Sequence, residues 1–321
     1  MPSHRVNQAR GRMTSLKDKA KFAHVVGRMD PDSRLVGARR LPGGVSAEVT
    51  LIEVERPDGE IEEMVLRRHG PVDLQQNPNV AEDEYRLLEI TGRSGLVTPK
   101  PRFLDQKCDI FPTAYVVLEY LVGETEFEPV DVIDYVSQMA RHLTYIHEID
   151  CVQQDLTFLR DQTVLYAQKF ESGPGHRDGS TREEKTRAAL EAVWPLQSNN
   201  IPVLLHGDYW PGNVLWENGK LAGIIDWEDA QFGEPLADLA NARLELLWAF
   251  GEDAMDSFTD AYKSVSTIEF TNLPYWDLCT SLRHTFDIAE FASNQEEADR
   301  MSRQHDWYVD LALEAVGSTS C

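Results

Sequence analysis

Basic residues are scarce in this sequence of 321 residues. It contains 31 lysines and arginines against 54 aspartates and glutamates, which gives a formal net charge of −23 at pH 7. Proteins that bind nucleic acid need clustered basic residues to contact phosphate groups, so the composition argues against that class and against an anionic membrane surface. A strongly acidic protein instead attracts cationic ligands. We therefore expect no nucleic-acid or membrane partner.

Cysteines and long apolar runs are also few. The four cysteines, Cys108, Cys151, Cys279 and Cys321, form no CxxC pair, which excludes zinc ribbons and thioredoxin-like redox sites. Cysteines scattered along a chain of this size also argue against a disulfide scaffold. No stretch approaches the roughly 18 apolar residues that a transmembrane helix needs.

The N-terminal segment lacks the apolar stretch of a secretory signal. Its first 22 residues carry six basic side chains and one acid, Asp18. We predict a charged leading helix in a cytoplasmic protein, and a mitochondrial transit peptide is the alternative. The fractions of hydrophobic (42%) and charged (26%) residues are typical of a soluble enzyme.

The length predicts two lobes, at roughly 150 residues for each domain. Residues 1–122 are rich in strand patterns, and residues 123–321 carry mainly helical patterns. The segment Val122-Gly123-Glu124 marks the predicted boundary, and a cleft between two lobes is a usual place for a ligand. In the first lobe the predicted strands are Arg34–Arg40, Ala47–Val54, Glu60–Arg68 and Thr113–Leu121, and the predicted helix is Val80–Thr91.

In the second lobe, apolar residues at three- and four-residue spacing predict a helix over Asp131–His147. Thr181–Trp194 is a second candidate helix, and the composition of residues 172–180 is that of a flexible loop. Three or four helices are expected after Ala237. The predicted short strands are Ile201–His206, Val214–Trp216 and Leu221–Ile225.

Two motifs in the second lobe indicate chemistry. HGDYWPGN spans residues 206–213 and IIDWE spans residues 224–228, each at the end of a short apolar strand. Asp208 can orient or deprotonate an attacking hydroxyl, while Asn213 and Asp226 supply the oxygen ligands that Mg²⁺ prefers. His206 is expected to shape the loop, because a metal-hydrolase site would need further histidine ligands nearby.

These motifs resemble those of the aminoglycoside phosphotransferase and choline kinase superfamily, with HGD in place of the protein-kinase HRD and DWE in place of DFG. The resemblance runs from about Arg34 to Asp260. It implies an α+β, two-lobed, protein-kinase-like fold with a small β-rich N-lobe and a larger, mainly helical C-lobe. It also implies ATP or GTP as phosphate donor, with Mg²⁺. The GxxxxGK[ST] motif of P-loop proteins is absent.

The resemblance implies a nucleotide site in the N-lobe. Gly43, Gly44 and Ser46 stand where the family has its phosphate-covering loop, although Ala47 occupies a position where many members have Asn. Arg67 or Arg68 would hold the α- and β-phosphates. Strand alternation puts these two arginines on opposite faces, and Arg67 is favoured because it shares a face with Val65.

Further positions follow from the same resemblance. The ion-pair partner of the arginine would be Glu84, with Glu82 as the alternative. The backbone carbonyl of Glu119 and the amide of Leu121 would contact adenine. Asp238 is expected to tie the start of a helix to the catalytic loop.

The implied activity is transfer of the γ-phosphate to a hydroxyl of a small acceptor. Residues 119–161 hold ten acids against two basic residues, and residues 217–260 hold eleven against two, so a cationic acceptor such as an aminoglycoside is favoured. Tyr209, Trp210 and Trp227 could face such an acceptor or pack within their loops. A kinase for a macrolide, amino alcohol, sugar or other metabolite, or a non-catalytic nucleotide-binding module, is the alternative. A monomer or a dimer is expected.

Overall fold

A computed structural model describes residues 16–41, 47–171, 181–283, 288 and 292–319. The chain forms two compact units. The first contains the described residues up to 122 together with 223–228, and the second contains the described residues 123–222 and those from 229 onward. The architecture is α+β, with a sheet-rich first unit and a mainly helical second unit. The expected α+β class is thus confirmed.

The first unit is built on a five-stranded antiparallel sheet with the order β1-β2-β3-β5-β4. The turn at 57–59 joins β2 to β3, and Gly59 adopts the positive φ of +88° that this tight turn requires. The strands are β1 (Arg34–Arg40), β2 (Ala47–Glu55), β3 (Ile61–His69), β4 (Pro101–Asp105) and β5 (Tyr115–Glu119), and the helices are α1 (Leu16–Met29), α2 (Pro71–Gln76) and α3 (Val80–Arg93).

The two faces of strand β3 have different surroundings because successive side chains alternate. Met64 and Leu66 are buried in an apolar core that also includes Phe22 and Val25 of α1. Arg67 belongs to the opposite face and reaches α3. The alternation therefore separates the core of this unit from a polar cluster.

The second unit is mainly helical and also contains several short strands. Its three-stranded sheet has the order β6-β10-β7, and β8 pairs with β9. Asn218 and Gly219, with φ of +50° and +74°, form the tight turn of the β8–β9 hairpin. The helices are α4 (Val132–His147), α5 (Gln162–Glu171), α6 (Thr181–Glu191), α7 (Pro235–Phe250), α8 (Glu252–Val265), α9 (Leu273–Ser281) and α10 (Gln295–Thr319). The strands are β6 (Arg160–Asp161), β7 (Val203–Leu205), β8 (Val214–Glu217), β9 (Lys220–Ile224) and β10 (Gln231–Gly233), and the last two residues of β9 belong to the first unit.

Helix α7 lies at the centre of the second unit and is buried on nearly all sides. Pro235 occupies its first turn, where a missing N–H costs nothing, and Gly251 ends it with φ of +89°. One side packs into an apolar cluster with Trp248 and Tyr308. Another side carries the polar residues Asp238 and Asn241, which position the candidate site.

Most predicted elements are present, and the differences concern short segments. The helix predicted over Asp131–His147 is confirmed as α4, where the Asp131 side chain accepts the N–H of Asp134 at the first turn. Strand β4 and helices α2 and α5 were not predicted, because segments this short show no clear periodicity. The predicted loop 172–180 and the first 15 residues lie outside the described residues. No helix within the described ranges is long and apolar enough to cross a membrane.

Candidate active site

Arg67 of β3 is the centre of a buried ion-pair cluster in the first unit. Its Nη1 donates to Oε1 of Glu84 on α3 at 3.1 Å, and its Nη2 is paired with both Asp226 and Glu228. The Arg67 side chain is only 6% exposed and that of Glu84 1%. The sequence left open Arg67 or Arg68 as the basic partner and Glu84 or Glu82 as the acidic one. The structure brings Arg67 and Glu84 together.

The electrostatics of this cluster balance burial against neighbouring charge. Burial acts to lower the pKa of Arg67, but the carboxylates of Asp226 and Glu84 outweigh it and raise that pKa. Burial acts to raise the pKa of Glu84, yet Arg67 and His69 hold it below its ordinary value. Both partners of the pair are therefore ionised at neutral pH.

Arg68 and Glu82 lie elsewhere, as strand and helix geometry requires. The Arg68 side chain pairs with Glu48, and its guanidinium carbon lies 4.4 Å from the centroid of the Phe111 ring. Glu82 accepts a hydrogen bond from Gln106 at 2.7 Å. Neither residue contributes to the Arg67 cluster.

Asp226 follows strand β9 in a left-handed backbone conformation with φ of +72°. A non-glycine residue in this region is strained and is often found at a functional site. The side chain of Trp227 is buried, and its Nε1 donates to the carbonyl of Ile224 at 3.1 Å, which anchors the turn. The Asp226 carboxylate remains 40% exposed, so an incoming ion can reach it.

A second group of potential metal ligands lies in the same cluster. One ligand atom each of His69, Glu84 and Glu228 falls within 4.8 Å of the others. The guanidinium of Arg67 already pairs with both carboxylates, so an organic cation of the chain itself compensates their charge. The sequence motifs predict a different pair of ligands for Mg²⁺, the Asp226 carboxylate of the first unit and the Asn213 amide oxygen of the second.

The catalytic loop, defined here as residues 206–213, belongs to the second unit and follows strand β7. Asp238 on α7 holds its first turn, because its carboxylate accepts the backbone N–H groups of His206 at 2.6 Å and Gly207 at 2.9 Å. Burial acts to raise the pKa of Asp238, but the hydrogen bond and charge of His147, the charge of His206 and the Gly207 N–H keep it below its usual range. The expected structural role of Asp238 is thus confirmed.

Gly207 is required at its position by the close approach of a neighbouring backbone. Its φ is +82°, and a Cβ atom there would lie 1.9 Å from the carbonyl oxygen of Asp229. The buried His206 ring accepts the N–H of Asp208 through Nδ1 at 3.3 Å, which agrees with a role in shaping the loop. These constraints point the Asp208 side chain out of the turn, with about a third of it exposed.

The Asn213 side chain is hydrogen-bonded to Asp208. Its Nδ2 donates to the Asp208 backbone carbonyl at 2.9 Å and to Oδ2 of the carboxylate at 3.1 Å. Because the amide nitrogen makes these bonds, the amide oxygen is the atom that can serve a metal. The structure therefore places Asp208 and Asn213 together, five residues apart in one tight loop.

Three further residues surround the loop and were missed by the sequence analysis. Two of them, Asn241 and Glu245, lie three and seven residues after Asp238 on α7. This spacing puts Asp238, Asn241 and Glu245 on one face of the helix, which is a pattern visible in the sequence. Burial and the charge of Asp208 raise the pKa of Glu245 to about 8. Arg283, after α9, has an Nη2 atom 3.9 Å from Oδ1 of Asp208, and no sequence pattern singled it out.

The aromatic residues near the motifs mostly pack inward. Tyr209 is buried and donates its hydroxyl to the carbonyl of Met139 at 3.0 Å. Trp210 is partly exposed, with its ring centroid 6.2 Å from that of Phe127. Tyr209 and Trp227 therefore act as loop-packing residues, whereas Trp210 can present part of its ring to a ligand.

Of the remaining predicted nucleotide contacts, the structure describes Glu119 and Leu121. Gly43, Gly44 and Ser46 fall outside the described residues. Glu119 ends β5, and its backbone N–H donates to the carbonyl of Lys100 at 2.8 Å. Leu121 packs so closely on Gly223 that a Cβ at that glycine would lie 2.6 Å from the leucine Cδ1.

Comparison with known proteins identifies the class to which this fold and these motifs belong. The profile of the phosphotransferase enzyme family matches residues 37–273, and the chain belongs to that family. Acyl-CoA dehydrogenase family member 11 of Gallus gallus is 27% identical over 203 residues, which cover 57% of this chain and 25% of that protein. Viomycin phosphotransferase of Streptomyces vinaceus is 38% identical over 66 residues, 19% of this chain and 22% of that protein. This chain thus spans about a quarter of the length of these curated relatives.

Solved structures support the fold. A thermostable mutant of aminoglycoside phosphotransferase APH(4)-Ia, in a ternary complex with AMP-PNP and hygromycin B, matches with a TM-score of 0.65. The sequence identity is 14%, and the match covers 94% of this chain and 99% of that one. At this identity the likeness establishes the fold alone, which this chain shares with that phosphotransferase.

Proposed function

We propose that this phosphotransferase is a small-molecule kinase that transfers the γ-phosphate of ATP or GTP to a hydroxyl of an acceptor. The observation that carries the proposal is the catalytic loop, in which Asp208 is bonded to Asn213 and the backbone is held by buried Asp238. A carboxylate held in this way is suited to accept a proton from an attacking hydroxyl.

In this proposal the first unit binds the nucleotide. Arg67, always charged and with a planar fork of donors, contacts the α- and β-phosphates, and Glu84 holds it in place. The pairing of Arg67 with Asp226 and Glu228 supports this role, since a guanidinium that pairs with carboxylates can pair with phosphate oxygens instead. The other proposed nucleotide contacts are Gly43, Gly44, Ser46, the Glu119 carbonyl and the Leu121 amide.

Asp208 accepts the proton in the transfer step. The acceptor hydroxyl oxygen forms a bond to the γ-phosphorus while the bond from that phosphorus to the β,γ-bridging oxygen breaks. The hydroxyl proton passes to the Asp208 carboxylate, and the nucleoside diphosphate leaves with the electron pair of the broken bond. Asn213 keeps the carboxylate oriented through its bond to Oδ2.

Asn213 and Asp226 are the proposed magnesium ligands. When bound, Mg²⁺ neutralises charge on the phosphate oxygens during transfer. The exposure of the Asp226 carboxylate and the use of the Asn213 nitrogen in bonds to Asp208 support this assignment.

The acceptor favoured in this proposal is a hydroxylated cation of the aminoglycoside kind. The net charge of −23 and the excess of acids in residues 119–161 and 217–260 support it. Glu126 and Glu128 flank Phe127, which contacts the partly exposed Trp210 of the catalytic loop. Carboxylates beside aromatic rings are a common means of binding amines.

A kinase for a neutral or anionic hydroxylated acceptor is the second candidate. The observation that favours it is the Arg283 guanidinium near Asp208, because a fixed cation beside the reacting carboxylate disfavours an ammonium group at that point.

The two candidates are separated by a turnover screen of the purified protein with ATP and GTP in the presence of magnesium. Aminoglycosides, amino alcohols, neutral sugars and hydroxy acids serve as acceptors, and nucleoside diphosphate release is measured. For a cationic acceptor, the KM rises with ionic strength while kcat changes little, since exposed charges are screened over about 8 Å at physiological salt. Turnover of a neutral or anionic acceptor with a salt-independent KM would reject the cationic acceptor, and no turnover of any acceptor would reject the kinase.

A further inference from the structure

Arg283 makes direct contacts with the catalytic loop from outside the motif. Its Nη1 donates to the carbonyl of Gly207 at 3.0 Å and to Oδ1 of Asn241 at 3.0 Å, and its Nη2 lies 3.9 Å from Oδ1 of Asp208. The side chain is 22% exposed, so most of it is packed within the protein. Arg283 lies beyond residue 273, where the match to the family profile ends.

Separate hydrogen bonds hold successive peptide groups of the catalytic loop. Asp238 accepts the N–H groups of His206 and Gly207. The peptide group between Gly207 and Asp208 is held at both ends, with its carbonyl bonded to Arg283 and its N–H bonded to the His206 ring. This peptide group directly precedes the Asp208 side chain, so its rotation would swing the carboxylate.

The next peptide groups are held in the same manner. The Asp208 carbonyl accepts from Asn213 at 2.9 Å, and the Tyr209 carbonyl accepts from Asn241 at 3.4 Å. Arg283 also bonds to the Asn241 side chain, so it supports this second contact indirectly. One guanidinium thus stabilises the loop on both sides of Asp208.

The guanidinium group of Arg283 also faces the Asp208 carboxylate. Oδ2 of Asp208 is bonded to Asn213, and Oδ1 is the oxygen nearest to Arg283. A positive donor group near Oδ1 and an amide near Oδ2 together define the plane of the carboxylate.

We propose that Arg283 is a positioning residue for Asp208, which acts by fixing the Gly207–Asp208 peptide group and the carboxylate plane. This inference rests on the proposed kinase function, in which Asp208 accepts the proton. A displacement of about 1 Å in a reacting group can lower a rate by about 10²-fold, so the positioning is expected to affect kcat.

The test compares Arg283→Gln, Arg283→Lys and the wild-type protein in steady-state kinetics with the best acceptor of the screen. We expect kcat of Arg283→Gln to fall about 10- to 100-fold, with the KM values for nucleotide and acceptor nearly unchanged. Arg283→Lys keeps the charge but loses the fork, so its kcat should be intermediate. If Arg283→Gln does not fold, Arg283→Lys alone is expected to show the reduced kcat at unchanged KM.

The matched control is Arg160→Gln. Arg160 is also 22% exposed and pairs with Asp229 at 3.4 Å in the same unit. This variant removes an equal charge without removing the Gly207 contact, and its kcat should stay within about twofold of wild type.

Amide hydrogen exchange at residues 206–213 gives a readout that needs no acceptor. Exchange in this loop should be faster in Arg283→Gln than in wild type or Arg160→Gln. Unchanged kcat, a loss of kcat without faster loop exchange, or a raised acceptor KM at wild-type kcat would each overturn the positioning role. A wild-type protein without turnover would refute the kinase function separately, and loop exchange would still decide the role of Arg283.

Discussion

The Arg67 cluster and the catalytic loop position their polar residues by different means. In the first unit, Arg67 is held between Glu84, Asp226 and Glu228 by ion pairs. In the second unit, Asp208 is held by hydrogen bonds that side chains make to the peptide groups around it. Ion pairs can change partners when another anion or cation arrives, whereas a loop whose peptide groups are hydrogen-bonded on both sides of Asp208 keeps one shape. The ion-pair cluster is therefore suited to an exchange of the partners of Arg67, and the hydrogen-bonded loop is suited to a precise orientation of Asp208.

The two arrangements also differ in what a mutation leaves behind. Removing one member of a buried ion pair leaves an uncompensated charge and costs about 3–5 kcal/mol of folding free energy. Removing one hydrogen bond from a loop costs about 1–3 kcal/mol where a buried partner is left unsatisfied. Variants of the cluster should therefore lose nucleotide binding and stability, while variants of the loop should mainly lose kcat.

The largest effect is expected for Asp226→Ala. It should abolish turnover and weaken magnesium-dependent nucleotide binding, because a proposed metal ligand is lost and Arg67 loses one of its carboxylate partners. Turnover and nucleotide titration with and without magnesium are the measurements. Asp229→Asn is the matched control, since that carboxylate is 44% exposed, close to the 40% of Asp226, and is not a proposed magnesium ligand.

Asp208→Asn should lower kcat by about 10²- to 10⁴-fold and leave nucleotide binding nearly intact. The amide oxygen can still accept a hydrogen bond from Asn213, but the amide cannot take the hydroxyl proton. Single-turnover kinetics and nucleotide titration test this division of roles. Equal losses of nucleotide affinity in Asp208→Asn and Asp226→Ala would contradict the distinction between the two regions.

A smaller effect is expected for Arg67, compared with its neighbour Arg68. Arg67→Ala should raise the nucleotide KM, lower kcat and lower the melting temperature, because buried Glu84 loses its partner. Arg67→Lys should recover part of the loss, since lysine keeps the charge without the fork. Arg68→Ala should do little, because its pairing with Glu48 is partly exposed. A larger effect at Arg68 would assign phosphate binding to the other face of β3.

The smallest effect concerns the pH dependence of stability at Glu245. Burial raises the pKa of this carboxyl from 4.5 to about 8, so the folded state holds a proton that the unfolded state releases between these values. The contribution of Glu245 to the free energy of unfolding should therefore decline as pH rises from about 4.5 to about 8. Glu245→Gln cannot titrate at this position. The melting temperature of the variant minus that of wild type should therefore increase as pH rises from about 4.5 to about 8. A constant difference between the two proteins would show that the carboxyl titrates normally.

Local pattern was sufficient for much of the first unit. The alternation of β3 predicts that Arg67 and Arg68 face opposite ways, and the structure places them with Glu84 and with Phe111, respectively. Turn residues at 57–59 predict the hairpin between β2 and β3. Such features depend on neighbours a few residues apart, which a sequence displays directly. Strand β4 was missed because five residues that begin with a proline show no alternation of their own.

The sequence alone determined the chemistry that is available: an Asp and an Asn five residues apart, a second Asp after another strand, an arginine on an alternating strand, and a strong excess of acids. The tertiary structure decided which distant side chains complete these groups. Glu245 acquires its raised pKa only because α7 is buried beside Asp208, and Arg283 reaches the Gly207 carbonyl across 76 residues of sequence. Burial and long-range hydrogen bonds depend on how helices pack, and no local spacing encodes them.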